Sequence, residues 1–403
     1  MEKDFKKKKL KNGMTLLFEK RNVPVVSILF AVKNGGNNEL LKEKGISHFI
    51  EHMLYKGTTK RSAKQIATDI EKNGGELNGF TSEEITGYWC KMPSDKVDIA
   101  LDVLADLVKN PLFDKVELEK ERKVIFEEMN LYKDNPRLHV FDEIQKCLYG
   151  GVMDISIIGT RETMASITRE RLLEQFQEIY TSENMILCVV GDVDFKDIVS
   201  FAENSFEKKQ GKISNQEIIL KNEIKLEKRK GIDQANLIFA YHVPFLRPGE
   251  KYVAKLLSTM MAGGMSSRLF SEIREKRNLA YAIKGDLEAH KEYAYSWIYI
   301  GTDKKNIEEI KKVILQEFEE VSKNLTEEEL SSIKDQLIGQ YKISMEDSQV
   351  QMVNLLINEI SGKAEDFYDF EENIKRITLQ DVKTLASWVK EGKYSFFALV
   401  PEN

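Results

Sequence analysis

His48 and His52 stand four residues apart in GISHFIEHMLYKGT, residues 45–58, with Glu51 between them. On an α-helix, positions i and i+4 lie one turn apart on the same face, so two imidazoles at this spacing can reach a single ion. The order HxxEH reverses that of the HExxH helix, in which two histidines hold zinc beside a glutamate base. The ordinary alternative is an amphipathic helix that buries Phe49, Ile50, Met53 and Leu54 and leaves the histidines packed or solvated.

A tetrahedral hydrolytic metal site needs three protein ligands and an open position, so a third ligand must come from elsewhere in the chain. The segment ELEKERKVIFEEMNLY, residues 117–132, reads as a helix with one buried stripe drawn from Val124, Ile125, Met129 and Leu131. Glu121 and Glu128 are seven apart and share a face, whereas Glu127 is turned about 100° away. Taken alone, these acids also describe a solvated charged face.

HFIEH together with ERKVIFEE, whose last glutamate lies 76 residues beyond His52, resembles the pitrilysin and insulysin superfamily of zinc metallopeptidases. The length and wording resemble its mitochondrial-processing-peptidase-like branch, including the short bacterial members. The resemblance implies one Zn2+ per chain held by His48, His52 and Glu128, with Glu51 as the base that activates water. It implies that Glu121 supports the site from behind the ligands. GGELNGFTSEEITGYW, residues 74–89, resembles the segment that binds substrate as an extended strand, here Asn78, Gly79, Phe80 and Thr81. Gly79 stands where the family pattern has alanine. That weakens the strand slightly and leaves room for close backbone approach.

MMAGGMSSRLFSEIREKRNLAYAI, residues 260–283, resembles the signature of the zinc-free half, in which an arginine and a tyrosine reach the substrate and the reacting carbonyl. In this chain they are Arg274 and Tyr281. Read without the resemblance, 266–277 is an amphipathic helix and Ala280 starts a strand. SENMILCVVGDVD, residues 182–194, resembles the strand that closes the first half. GGVMDISIIGT, residues 150–160, lacks the proline-containing sequence that commonly precedes Ile-x-Gly-Thr in relatives.

A chain of 403 residues exceeds the usual span of one core, so two domains are expected. Strands are predicted at 14–19 and 25–32. Helices are predicted from a capping box at Ser62–Gln65 to Gly74-Gly75, and around 94–109, 117–132 and 168–180. Strand, helix and strand recur from Asn236 onward. The expected fold class is α+β, with two homologous halves, each an antiparallel-rich sheet with helices packed on one face. The boundaries read as a zinc-bearing domain 1–206, a polar linker 207–222 containing EKKQGKISN, and a zinc-free domain 223–403 that supplies Arg274 and Tyr281.

A net charge of −6 argues against a nucleic-acid partner, and no apolar run approaches the roughly 20 residues of a membrane helix. No signal-peptide pattern follows the basic start, and the lysine run reads as a solvated lead-in to a strand. Cys90, Cys147 and Cys188 form no disulfide framework, so a reducing cytoplasm is expected. The expected activity is endopeptidase cleavage of an extended peptide or unfolded polypeptide by a homodimer, a heterodimer staying open. Two other readings stand beside it: a non-catalytic structural or assembly subunit, and a protease dedicated to trimming a leader peptide.

Overall fold

A computed structural model describes residues 4–244 and 249–402. In chain order the first half contains β1 (Phe5–Lys9), β2 (Thr15–Lys20), β3 (Val25–Val32), α1 (Ile46–Leu54), α2 (Ala63–Glu71), β4 (Glu76–Thr81) and β5 (Thr86–Pro93). It continues through α3 (Val97–Lys109), α4 (Lys115–Asp134), α5 (Pro136–Leu148), α6 (Arg169–Ile179) and β6 (Met185–Gly191). The second half runs through β7 (Ile224–Arg229), β8 (Ala235–His242), α7 (Glu250–Ala262), β9 (Ala280–Ala289) and β10 (Ala294–Thr302). It ends with α8 (Ile307–Asn324), α9 (Glu327–Ser344), α10 (Ser348–Ser361), α11 (Leu379–Ala386) and β11 (Ser395–Pro401).

The first sheet has the order β1-β2-β6-β3-β5-β4 and the second β9-β10-β8-β11-β7. In each, the first strand of the repeat pairs parallel with the last, β2 with β6 and β7 with β11, and every other pairing is antiparallel. The two halves are therefore one α+β topology used twice, with β1 added at one edge of the first. The lysine run is itself that added strand. Four exposed lysines line it, a composition that discourages further edge pairing.

Two compact units emerge, and a single cut at 207–222 does not describe them. Residues 130–154 belong with the C-terminal unit and residues 344–364 with the N-terminal one. The reason lies in the strands. In β3, Val26, Ile28, Phe30 and Val32 join the main core of the first unit, yet Ser27, Leu29 and Ala31 are buried too. Helix α10 covers that second face, packing on β3 and β6, with Ser27 Oγ 2.9 Å from Ser348 Oγ. In the second unit α5 plays the same part. Val140, Ile144, Cys147 and Leu148 pack with Ile238, Ala240, Phe397 and Leu399, while Phe239, Tyr241, Phe396 and Ala398 face the opposite core. Both faces are buried, so the central strands read as continuous apolar runs such as MILCVV. The helices are thus on both faces of each sheet. Residues 207–218 carry no helix or strand.

Local expectations meet the structure at β3, at the Ser62–Gln65 capping box and at α4. One does not. Val124 and Leu131 are exposed, and the buried stripe of α4 is Leu118, Glu121 and Ile125. These recur at three- and four-residue spacing on one face, and Val124 and Leu131 share a different one. The stretch 266–277 forms a π-type helix over Phe270–Lys276 rather than a regular α-helix, and Ala280 begins β9.

Candidate metal centre

Helix α1 is short and held at both ends. Its N-cap is Gly45, at φ +94°, where a side chain would strike the Gly159 backbone and Met164. Cap hydrogen bonds come from Glu39, whose buried carboxylate accepts from the amides of Gly45 at 2.8 Å and Ser47 at 2.7 Å. An anion at a helix N-terminus also complements the macrodipole. Lys44 lies 3.9 Å from Glu39 and donates to Gly36 O at 2.7 Å. The short helix Arg161–Ser166 that follows Ile-x-Gly-Thr braces the same place, Thr163 Oγ1 donating to Lys44 O at 2.8 Å.

Ile46, Phe49, Ile50, Met53 and Leu54 are buried in the core. That burial fixes the rotation of α1 and turns His48, Glu51 and His52 to its functional side. The His48 and His52 rings sit 4.6 Å apart between centroids. Across from them, α4 presents Glu128, with Oε2 3.6 Å from His48 Nε2 and 3.6 Å from His52 Nε2. Glu127 is exposed on the other side.

Ligand atoms of His48, His52 and Glu128 all lie within 4.8 Å of one another, the one such cluster among the described residues. Ligands at ~2.0–2.1 Å in a tetrahedral zinc site stand roughly 3.3–3.4 Å from each other, so the 3.6 Å separations need only a slight contraction. The remaining nitrogen of His52, Nδ1, is 3.1 Å from Glu121 Oε2. Lys56 holds the other Glu121 oxygen at 2.7 Å. A carboxylate behind a ligating histidine fixes its ring orientation and tautomer. His48 Nδ1 is buried without a partner among the described residues. These residues fit a zinc ion.

The charges also suit a cation. Burial pushes His48 down to about 4, helped by His52, so its imidazole is neutral at ordinary pH. Burial acts the same way on His52, but the carboxylates of Glu121 and Glu128 outweigh it and push it up to about 9. Partial burial pushes Glu128 up, yet the facing histidines outweigh it and hold it below the usual carboxylate range. Glu121 is held down likewise by His52 and Lys56 against its burial. Glu51 moves the other way, raised by burial, with His52 and Thr81 pulling it back. Thr81 Oγ1 donates to Glu51 Oε2 at 3.0 Å.

Thr81 ends β4, the outermost strand of its sheet, so one backbone edge of β4 has no strand beside it among the described residues. Phe80 lies over Gly87, whose missing side chain makes the room. Asn78 accepts from the Gly79 amide at 2.8 Å and lines a cavity of about 540 Å³ with Tyr55, Ile66, Leu77 and Trp89. Direct contacts therefore join His48, His52, Glu121 and Glu128, and Thr81 to Glu51, with Gly79 close beside Glu51, while Asn78 and Phe80 lie on the same strand with other neighbours. Sequence reasoning missed Lys56, Tyr55 and the Glu39 cap. The spacing of Lys56, four beyond His52, could have signalled it.

Arg274 and Tyr281 belong to the second unit. Arg274 Nη1 donates to Tyr281 O at 2.8 Å and its guanidinium lies 4.8 Å from the Phe270 ring centroid. The Tyr281 side chain is about half exposed (49%) and rests on the bare backbone of Gly301.

Comparison with known proteins matches residues 15–161 to the family model for insulinase, peptidase family M16, and residues 166–337 to that for the peptidase M16 inactive domain. A protein of Rickettsia felis named an uncharacterized zinc protease is 36% identical over 344 residues, 84% of this chain and 83% of its own length. The uncharacterized zinc protease YmxG of Bacillus subtilis is 30% identical over 397 residues, 97% of each chain. The crystal structure of a protease from Helicobacter pylori superposes with a TM-score of 0.91 at 21% identity, covering 99% of this chain and 100% of that one. The likeness at that identity is one of fold, whereas the curated relatives and both domain models carry the kinship: the chain belongs to peptidase family M16, the insulinase family.

Proposed function

We propose that this chain is a zinc-dependent endopeptidase that hydrolyses extended or unfolded peptides. The observation that carries the reading is the convergence of His48, His52 and Glu128 within 4.8 Å, with Glu51 on the same helix. Both relatives described above are named zinc proteases. Zinc bound by those three residues would supply Lewis acidity and a nucleophilic water at neutral pH.

The chain's own residues do the remaining work. Glu51 takes the proton of the attacking water and later returns it to the leaving amine. Its burial raises its affinity for that proton, and Thr81 anchors one of its two oxygens. Glu121 and Lys56 hold His52 in orientation. The unpaired edge of β4, from Asn78 to Thr81, aligns the substrate by main-chain pairing, which reads backbone rather than sequence and admits only an extended chain. Arg274 and Tyr281 keep the roles that the family resemblance gives them, gripping substrate backbone and stabilising the developing oxyanion. The working form is a homodimer.

The inactive-domain model falls on residues 166–337, a range that contains none of His48, Glu51, His52 or Glu128. One catalytic half and one supporting half within a chain is the arrangement this favours over a wholly non-catalytic subunit. The test is cleavage of a quenched fluorescent unfolded peptide, with metal content measured on the same sample before and after chelation and zinc return. Chelator-sensitive, zinc-restored cleavage with about one zinc per chain is expected. Full zinc occupancy without cleavage of any member of a mixed peptide library would overturn it, as would cleavage that survives complete removal of metal. A library reduced to one cleaved sequence would point to a dedicated leader-peptide protease.

A further inference from the structure

Tyr55 follows α1 directly, as its C-cap. Its ring lies against Tyr88, 6.1 Å between centroids, yet its hydroxyl is buried without any hydrogen-bond partner among the described residues. Native structures seldom leave a buried hydroxyl idle. Its surroundings show what it is beside. A side-chain carbon on Gly79 would stand 2.6 Å from the Tyr55 hydroxyl oxygen and 3.0 Å from Glu51 Oε1. The hydroxyl and the carboxylate oxygen thus converge over one bare α-carbon. Thr81 already occupies the other oxygen, Oε2, so Oε1 is the end of the carboxylate that Tyr55 can serve.

We propose that Tyr55 is a positioning residue for Glu51, its hydroxyl donating to Oε1 as the substrate is cleaved, and that position 79 is glycine because this hydroxyl fills the space of a side chain. The inference rests on the peptidase reading above. Two donors on opposite oxygens hold the carboxylate plane fixed and leave its free lone pairs aimed at the water, which a single donor does not achieve. Phenylalanine at 55 keeps the ring packing and loses only the donor. Alanine at 79 forces the hydroxyl or the carboxylate to move.

The experiment compares wild type, Tyr55→Phe, Gly79→Ala and the double variant by zinc content, thermal unfolding, and kcat and KM on the quenched peptide. Tyr55→Phe is expected to keep its zinc, Tm and KM while kcat falls about tenfold, the size expected for losing one hydrogen bond to a charged group. Gly79→Ala is expected to lower both Tm and kcat. Adding Tyr55→Phe to it should restore Tm and leave kcat at the level of Tyr55→Phe alone. A Tyr55→Phe enzyme with kcat within twofold of wild type overturns the positioning role. A Gly79→Ala loss of Tm that Tyr55→Phe does not relieve overturns the account of glycine at 79. Failure of the peptidase reading is seen separately, as wild type that never cleaves. The positioning role falls with it, and the Tm cycle still decides whether hydroxyl and methyl compete.

Discussion

Helices α1 and α7 occupy the same place in the two halves, each the first α-helix after the strand that lies third in the repeat's sheet. Their buried content differs in kind. Helix α1 puts His48, Glu51 and His52 on the side turned to α4, whereas α7 buries Leu256, Leu257, Met260 and Met261 and satisfies Thr259 by bonding its own Lys255 carbonyl at 2.9 Å. The partner helices extend the contrast. Buried residues Leu118, Glu121 and Ile125 of α4 have the spacing of Leu330, Ile333 and Leu337 of α9. In that register Glu121 corresponds to Ile333 and Glu128 to Gln340. One topology therefore carries a cluster that could hold a metal in one half and an apolar core in the other, and the fold alone does not decide between them.

The largest effect comes from making the first half resemble the second. Glu128→Gln, the residue at the matching place in α9, should reduce bound zinc from about one per chain to near zero and abolish cleavage. Stoichiometric zinc in that variant, measured by atomic emission, would break the comparison. Glu51→Gln should keep its zinc and lose about 10²–10⁴ in kcat. Parent-rate cleavage by Glu51→Gln would remove it from the role of base.

The halves agree where they exchange helices. Leu355→Ala in α10 and Ile144→Ala in α5 each empty a fully buried site on the second face of a sheet, and each should cost about 2–5 kcal/mol. Metal content at 25 °C should be unchanged in both. Chemical denaturation checks the pair, and a cost under 1 kcal/mol for either would mean that its helix is not part of that sheet's core.

These exchanges also mark what could not be read in advance. His48, Glu51 and His52 are legible because helical spacing is a local property. Glu128 could be told from Glu127 by the same periodicity, but choosing it as a ligand needed the resemblance. Periodicity can say that α5 and α10 bury a face and cannot say which sheet receives it, because that depends on contacts between Ser27 and Ser348, or Ile144 and Phe397, hundreds of residues apart in several cases. Val124 and Leu131 misled for a related reason: in a highly charged helix, apolar residues alone do not mark the buried stripe when Glu121 sits in it beside Leu118 and Ile125. Tyr55 escaped notice because a hydroxyl's neighbours across a strand edge leave no mark on spacing.

A pH series sharpens the contrast electrostatically. The metal-free protein holds a proton on His52 up to about pH 9 because Glu121 and Glu128 outweigh burial, so zinc must expel it. Apparent zinc affinity should rise by about tenfold per pH unit from near 7 towards 9 and level off above. The sign for stability is opposite. A raised histidine contributes stability that is fully present below its unfolded value, ~6.5, and lost as pH rises through about 9. Chelator-stripped protein should therefore lose stability over that window while the zinc-loaded protein does not. Calorimetry in two buffers of different ionisation heat reads the released proton, and no release at pH 7.5 would mean that His52 is already neutral.

The smallest predicted difference lies where the repeat is most faithful. Ile167-Thr168 and Ile377-Thr378 precede the helices α6 and α11, each followed by the last strand of its half. Thr168 Oγ1 accepts from the Arg171 amide at 3.2 Å, and Thr378 Oγ1 from the Asp381 amide at 3.2 Å. Only the second is reciprocal. The Asp381 carboxylate accepts from the Thr378 amide at 2.8 Å, which closes a capping box and places an anion at the helix start, where the macrodipole favours it. Both threonines act at exposed helix ends, so Thr168→Ala and Thr378→Ala should each cost about 1 kcal/mol. Thr378→Ala should cost more by a few tenths, since Asp381 then loses the Thr378 hydroxyl it also accepts from at 2.7 Å. Asp381→Ala should remove that excess and bring the two ends level. Equal losses in Thr168→Ala and Thr378→Ala would mean that the reciprocal bond adds nothing, and that the two halves are energetically alike at this position in spite of the extra contact.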